Sequence, residues 1–264
     1  LYKNICNFVL GKLIVLREIM KKIKLAIIFM IAFSTHIYAQ SAVDFDAKMQ
    51  EYNLVDIQTL SGAEDIIVEL KYSTTDNFVG KDMYLNLEKA YFTPDFARRV
   101  VRAQQILREH YPQYTLLIYD AARPISVQRY MRKLVEGTKF QDFVADGTRG
   151  GRHNFGVAVD LTIATMQGIP LDMGAGFDDF TDAAAVKGTG DTGDSANRNL
   201  KVYTDYINSL VKQGLISAEA AKNRIILVET MLEAGLYPYR REWWHYEELM
   251  PMSEVRQKRR LLDF

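Results

Sequence analysis

The chain has 264 residues, 48% of them hydrophobic and 25% charged, with 33 basic and 33 acidic side chains in formal balance. Those proportions exclude wholesale disorder, and a neutral chain lacks the basic excess that phosphate binding requires, so nucleic acid is not an expected partner. A single cysteine, Cys6, excludes an internal disulfide, a Cys-rich zinc module and an iron–sulfur cluster.

In chain order, residues 20–39 have the layout of a secretory signal peptide. Met20 precedes the basic Lys21, Lys22 and Lys24, an apolar run covers residues 25–33, and the small Ala39 stands before Gln40. A spanning helix needs about 20 apolar residues, so the run is short for one, although an uncleaved anchor is the competing reading. Residues 1–19 read as an upstream extension outside the fold. Removing residues 1–39 takes six basic side chains and one acidic one, which leaves 27 against 32. The expected product is a mildly acidic, exported, periplasmic protein over residues 40–264, with no stable membrane association once the signal is cleaved.

No Pro- or Ser-rich linker and no internal repeat divides residues 40–264, so one domain is expected. Residues 66–70 read as a strand. Thr93-Pro94 starts a helix with proline at its first position, and the apolar Phe96, Val100 and Ile106 carry it to about His110. Residues 116–119 read as a buried strand. Pro124 opens a helix with Val127, Tyr130, Met131 and Leu134 on one face, and Gly137 ends it. Val157, Val159, Leu161 and Ile163 alternate with Ala158, Asp160 and Thr162, a period-two strand with Asp160 on the face opposite the valines. Residues 178–199 form a long Gly-, Asp- and Thr-rich loop. Ser217 caps a last helix whose Ala221, Ile225, Val228 and Leu232 face the core, and residues 236–246 read as a final strand. Strands and helices alternate without a regular βαβ rhythm, which favours an α+β fold.

Familiar nucleotide and hydrolase signatures are missing. The glycines Gly188, Gly190 and Gly193 spell G-x-G-x-x-G, but no strand precedes them and Asp191 and Asp194 would repel a pyrophosphate. Beyond residue 40 the histidines are His110, His153 and His245. His110 reads as a surface residue at a helix C-terminus. His153 stands in Gly150-Gly151-Arg152-His153-Asn154-Phe155-Gly156, at the mouth of the Asp160 strand. A carboxylate among Val, Ala and Leu needs a cation, which is either a nearby metal or an arginine. In Glu242-Trp243-Trp244-His245 the histidine reads as a ligand and Glu242 as a base on a metal-bound water, or else the stretch is an aromatic core strand. Residues three apart on a strand point to opposite faces, so a shared site needs a bulge or turn there. Arg123, between a buried strand and a helix, suits an oxyanion or carboxylate, or else simply pairs with Asp120.

Together Arg123-Pro124, His153-x-x-Gly156-x-Ala158-x-Asp160 and Glu242-Trp243-Trp244-His245 resemble the VanX-type D-alanyl-D-alanine dipeptidases, zinc peptidases related to D,D-carboxypeptidases. Residues 71–81 resemble the family's Tyr-x-Thr-x-Asn-Phe-x-Gly segment, and Met173-Gly174-x-x-Phe177-Asp178 its Met-Gly-x-x-Phe-Asp. The resemblance implies a central, mainly antiparallel sheet flanked by helices, with the zinc site at the sheet, as in D-Ala-D-Ala peptidases and hedgehog-like domains. It implies one Zn2+ per chain on His153, Asp160 and His245, Glu242 as general base, Arg123 on the oxyanion and Asp178 on the ammonium of a small dipeptide. The family's Ser two residues before the first histidine is Gly151 here, which bears on strict D-Ala-D-Ala preference. Recycling of wall peptides is the expected role. A D,D-carboxypeptidase on longer peptides and a non-catalytic wall-peptide binding module are the alternatives.

Overall fold

The two longest strands among the described residues pair at the centre of the sheet. β4 (Tyr114–Asp120) and β5 (Ala158–Thr165) run antiparallel, with Leu116 opposite Ile163 and Ile118 opposite Leu161. Both are buried along nearly their whole length, because helices and loops cover both faces. The computed structural model describes residues 20, 21, 24, 43–145, 147–188 and 199–264. The folded unit is Phe45–Phe264. All of the signal-peptide expectation but residues 20, 21 and 24, and the middle of the glycine-rich loop, lie outside the described residues.

The five-stranded sheet has the order β2-β4-β5-β7-β6. Here β2 is Ile67–Val68, β6 is Tyr237–Pro238 and β7 is His245–Glu247. Three of its four pairings are antiparallel, in line with the mainly antiparallel sheet expected, while β2 runs parallel to β4 and makes the sheet mixed. Two further strands, β1 (Val55–Asp56) and β3 (Tyr91–Phe92), pair apart from it. The α+β class stands.

The helices are α1 (Phe45–Glu51), α2 (Pro94–His110), α3 (Ile125–Val135), α4 (Leu200–Lys212), α5 (Ala218–Glu233) and α6 (Met252–Lys258). α2 starts after Thr93 with Pro94 at its first turn and lays Phe96, Val100, Ile106 and Leu107 on β4 and α5. On α3 the core face is Ile125, Val127, Met131 and Val135; Tyr130 was expected on that face and is 45% exposed. The Ser217 hydroxyl accepts from the Ala220 amide and caps α5 as expected, yet α6 follows it, so α5 is not the last helix. The expected single strand over residues 236–246 is two short strands, β6 and β7, joined by a turn.

One glycine connects this frame to the site. Gly156 (φ 67°) reverses the chain between the His153 turn and β5, and a Cβ there would lie 3.0 Å from Leu54 and 3.3 Å from the Thr93 amide nitrogen. Gly156→Ala is expected to cost at least about 1–2 kcal/mol through the left-handed backbone alone. Denaturant melting checks it; an unchanged midpoint would contradict it.

Candidate metal centre and active site

Strand register sets the first layer of the site. Asp120 at the end of β4 lies opposite Asp160 on β5, and Asp160 lies opposite His245 on β7. His153 reaches the same point from a 3-10 turn, Arg152–Phe155. That turn is held by Asn154: its Oδ1 accepts from the Gly151 amide at 2.8 Å and its Nδ2 donates to the Arg123 carbonyl at 2.8 Å. The Arg123 amide in turn donates to the His153 carbonyl at 3.0 Å, which locks the two segments together.

Three donor atoms converge. His153 Nε2 is 3.1 Å from His245 Nδ1 and 3.3 Å from Asp160 Oδ1, and His245 Nδ1 is 3.0 Å from Asp160 Oδ1. The other nitrogen of each ring is committed elsewhere. His153 Nδ1–H donates to the Ala121 carbonyl at 2.7 Å, and His245 Nε2–H donates to Glu247 at 3.2 Å. Each imidazole therefore turns its remaining nitrogen toward Asp160, the arrangement in which outer partners orient metal ligands. Two nitrogens and a carboxylate suit zinc and several other divalent ions, so the residues fit a metal.

The electrostatics agree with a cation at this point. Burial alone would push the Asp160 carboxyl up, but His153 and His245 hold it far below the usual carboxylate range. Burial pushes the His245 imidazole down, yet hydrogen bonds to Asp160 and Glu247 outweigh it and lift the ring to about 10.

The turn between β6 and β7 resolves the question of faces. The Glu242 amide donates to the Tyr239 carbonyl, and the Tyr239 amide to the His245 carbonyl. Glu242 thus precedes the strand, and its Oε2 comes within 3.9 Å of His245 Nδ1. Burial, with the Asp160 charge adding to it, raises the Glu242 carboxyl to about 7 against the pull of the neighbouring cations. Trp243 and Trp244 are buried, as packing residues should be; Trp244 meets Phe177 edge-on at 5.4 Å.

Arg123, His153, Asp160, Asp178, Glu242 and His245 all line one cavity of about 380 Å3. Arg123 is 8% exposed and does pair with Asp120, while its Nη1 donates to Gln128 Oε1 at 2.8 Å. The Tyr84 hydroxyl donates to the other Asp120 oxygen. Asp178 sits in the left-handed region (φ 60°), a conformation uncommon for a non-glycine residue and found at functional sites. The Tyr72 hydroxyl donates to its carboxylate at 3.0 Å. Burial and the Asp160 charge push the Asp178 carboxyl well above its usual range. His110 is exposed, away from the cavity.

Sequence reasoning missed Tyr72, Arg152 and Glu247, all lining the cavity. Glu247 had a signal: it lies two residues beyond His245, hence on the same strand face. Tyr72 opens the segment matched to the family's Tyr-x-Thr motif, but its role depends on contact with Asp178, 106 residues away.

A family model described as D-ala-D-ala dipeptidase matches residues 50–259. The chain belongs to this peptidase family. A D-alanyl-D-alanine dipeptidase of Escherichia coli K12 is 29% identical over 194 residues, covering 74% of this chain and 83% of that protein. A D-alanyl-D-alanine dipeptidase of Synechocystis sp. is 23% identical over 180 residues, covering 57% of this chain and 66% of that protein.

With a ring that titrates near 10, His245 holds a proton at neutral pH that a metal ion must displace. Divalent-metal binding near pH 7.5 is expected to release about one proton, so affinity rises with pH. Calorimetry in buffers of different ionisation enthalpy measures the release; none at all would contradict the assignment.

Proposed function

We propose that the protein is a zinc-dependent dipeptidase, with one zinc per chain on His153, Asp160 and His245, that hydrolyses D-alanyl-D-alanine. The observation that carries this is the convergence of those three donors, within 4.8 Å of one another, on the wall of a cavity that also presents Glu242, Arg123 and Asp178. Zinc bound there supplies a Lewis acid that brings the pKa of a water from about 15.7 to about 7 and polarises the scissile carbonyl.

The chain's own residues do the rest. Glu242 takes a proton from the attacking water and passes it to the nitrogen of the departing D-alanine as the C–N bond breaks. Arg123 stays cationic, held by Asp120 and Gln128, and faces the carbonyl oxygen as it gains charge. Asp178, fixed by Tyr72, receives the free ammonium, the one substrate group that supplies a buried carboxylate with positive charge. That contact favours a free dipeptide over the longer peptides of a D,D-carboxypeptidase. A binding module would have no use for the Glu242 carboxylate beside the metal ligands.

Gly151 lines the cavity, and a Cβ there would meet only Asn154 Oδ1, at 3.9 Å. The open space supports acceptance of related dipeptides beside D-Ala-D-Ala. The basic-then-apolar pattern of residues 20–39 supports export to the periplasm, where such dipeptides come from cell-wall peptides.

Amine release by the zinc-loaded protein tests this. Free D-Ala-D-Ala is expected to be cleaved, and L-Ala-L-Ala and N-blocked D-Ala-D-Ala spared. Glu242→Gln is expected to lower kcat by about 10²–10⁴ with the metal retained. Asp178→Asn is expected to erase the advantage of the free over the blocked substrate. Equal cleavage of blocked peptide by the parent would move the assignment to a carboxypeptidase. No cleavage with zinc bound would leave the binding module.

A further inference from the structure

Behind the His245 ring lies a second layer that the reaction itself does not use. Glu247 Oε2 accepts from His245 Nε2–H at 3.2 Å and forms an ion pair with Arg152 Nε at 2.7 Å. Both partners are largely enclosed, the Arg152 side chain 8% and the Glu247 side chain 16% exposed. Two features make this more than a surface ion pair. Arg152 directly precedes His153, so the residue that grips the outer partner of one ligand is joined by a peptide bond to the other ligand. Arg152 Nη1 is also buried with no hydrogen-bond partner among the described residues, so Glu247 is the acid that balances the guanidinium.

We infer that Glu247 and Arg152 are positioning residues for the metal centre: Glu247 fixes the His245 ring with Nδ1 toward the metal, and Arg152 holds Glu247. The ring has two nitrogens, and only one faces Asp160. A half-turn about χ2 would put the carbons Cδ2 and Cε1 where Nδ1 and Nε2 now stand, and the bond to Glu247 is what opposes it. An imidazole donating to a carboxylate is also a stronger metal ligand than one donating to water. Arg152 acts one step further out. By pairing with the same Oε2 it holds the carboxylate at the His245 ring and joins the His153 turn to β7. The order of effect follows: loss of Glu247 frees the ring and strands a buried guanidinium, whereas loss of Arg152 only loosens Glu247.

The inference rests on the zinc reading above, and metal affinity separates the two. Chelator competition would give the zinc dissociation constant of the parent and of Glu247→Ala, Glu247→Gln, Arg152→Met and the Arg152→Met/Glu247→Ala double variant. The visible spectrum of each cobalt(II) form would report ligand geometry. Thermal melting of each metal-free form checks folding, and Glu254→Gln, in the exposed pair with Lys258 on α6, serves as a remote control. Glu247→Ala is expected to weaken zinc about 10–100-fold and to shift the cobalt spectrum. Glu247→Gln, whose amide oxygen still accepts, should lose less. Arg152→Met should weaken zinc by a smaller factor in the parent and by none in the Glu247→Ala background, since it acts through Glu247. Parent-like affinity and spectrum in a folded Glu247→Ala would overturn the inference, as would independent, multiplying losses in the double variant. A parent that binds no zinc would instead overturn the metal reading on which it stands.

Discussion

Two buried carboxylates stand side by side across the middle of the sheet, Asp120 on β4 and Asp160 on β5, 0% and 4% exposed. Like charges on facing strands repel, and burial multiplies the cost unless each has its own cations and donors. The surrounding structure divides them. Asp120 is paired with Arg123 and accepts from the Tyr84 hydroxyl, and Asp160 is met by His153 and His245. The first pairing produces a rigid guanidinium at the cavity wall. The second produces a cluster of donors that suits a divalent cation.

The cavity as a whole carries the same imbalance. Asp160, Asp178, Glu242 and Glu247 line it, against the guanidiniums of Arg123 and Arg152. The backbone delivers these groups from well-supported places: strand ends for Asp160 and His245, a tight turn pinned by Asn154 for His153, and a left-handed residue anchored by Phe177 for Asp178. Groups that must hold position within a fraction of an ångström belong on such elements.

Much of this was legible from the residues. The alternation around Asp160 placed its strand, Thr93-Pro94 placed the start of α2, and Ser217 that of α5. The need for a turn at Glu242 followed from the two-residue period of a strand, and the turn is there. Other features are tertiary. The parallel β2–β4 pairing joins segments about 50 residues apart with no local signature. Tyr130 matched the helical period of the α3 core face, but the neighbouring Met131 and Val135 fill that space and leave the ring outside. Arg152 and Glu247 were assigned no role, because their ion pair joins segments far apart in the chain.

The central claim is that one metal ion joins His153, Asp160 and His245. Anomalous diffraction at the zinc absorption edge, from crystals of the full chain grown with zinc, tests it most directly. The account requires one strong peak in contact with His153 Nε2, Asp160 Oδ1 and His245 Nδ1, and the His245 Nε2–H still on Glu247. A peak held by other residues, or none at these three, would contradict it.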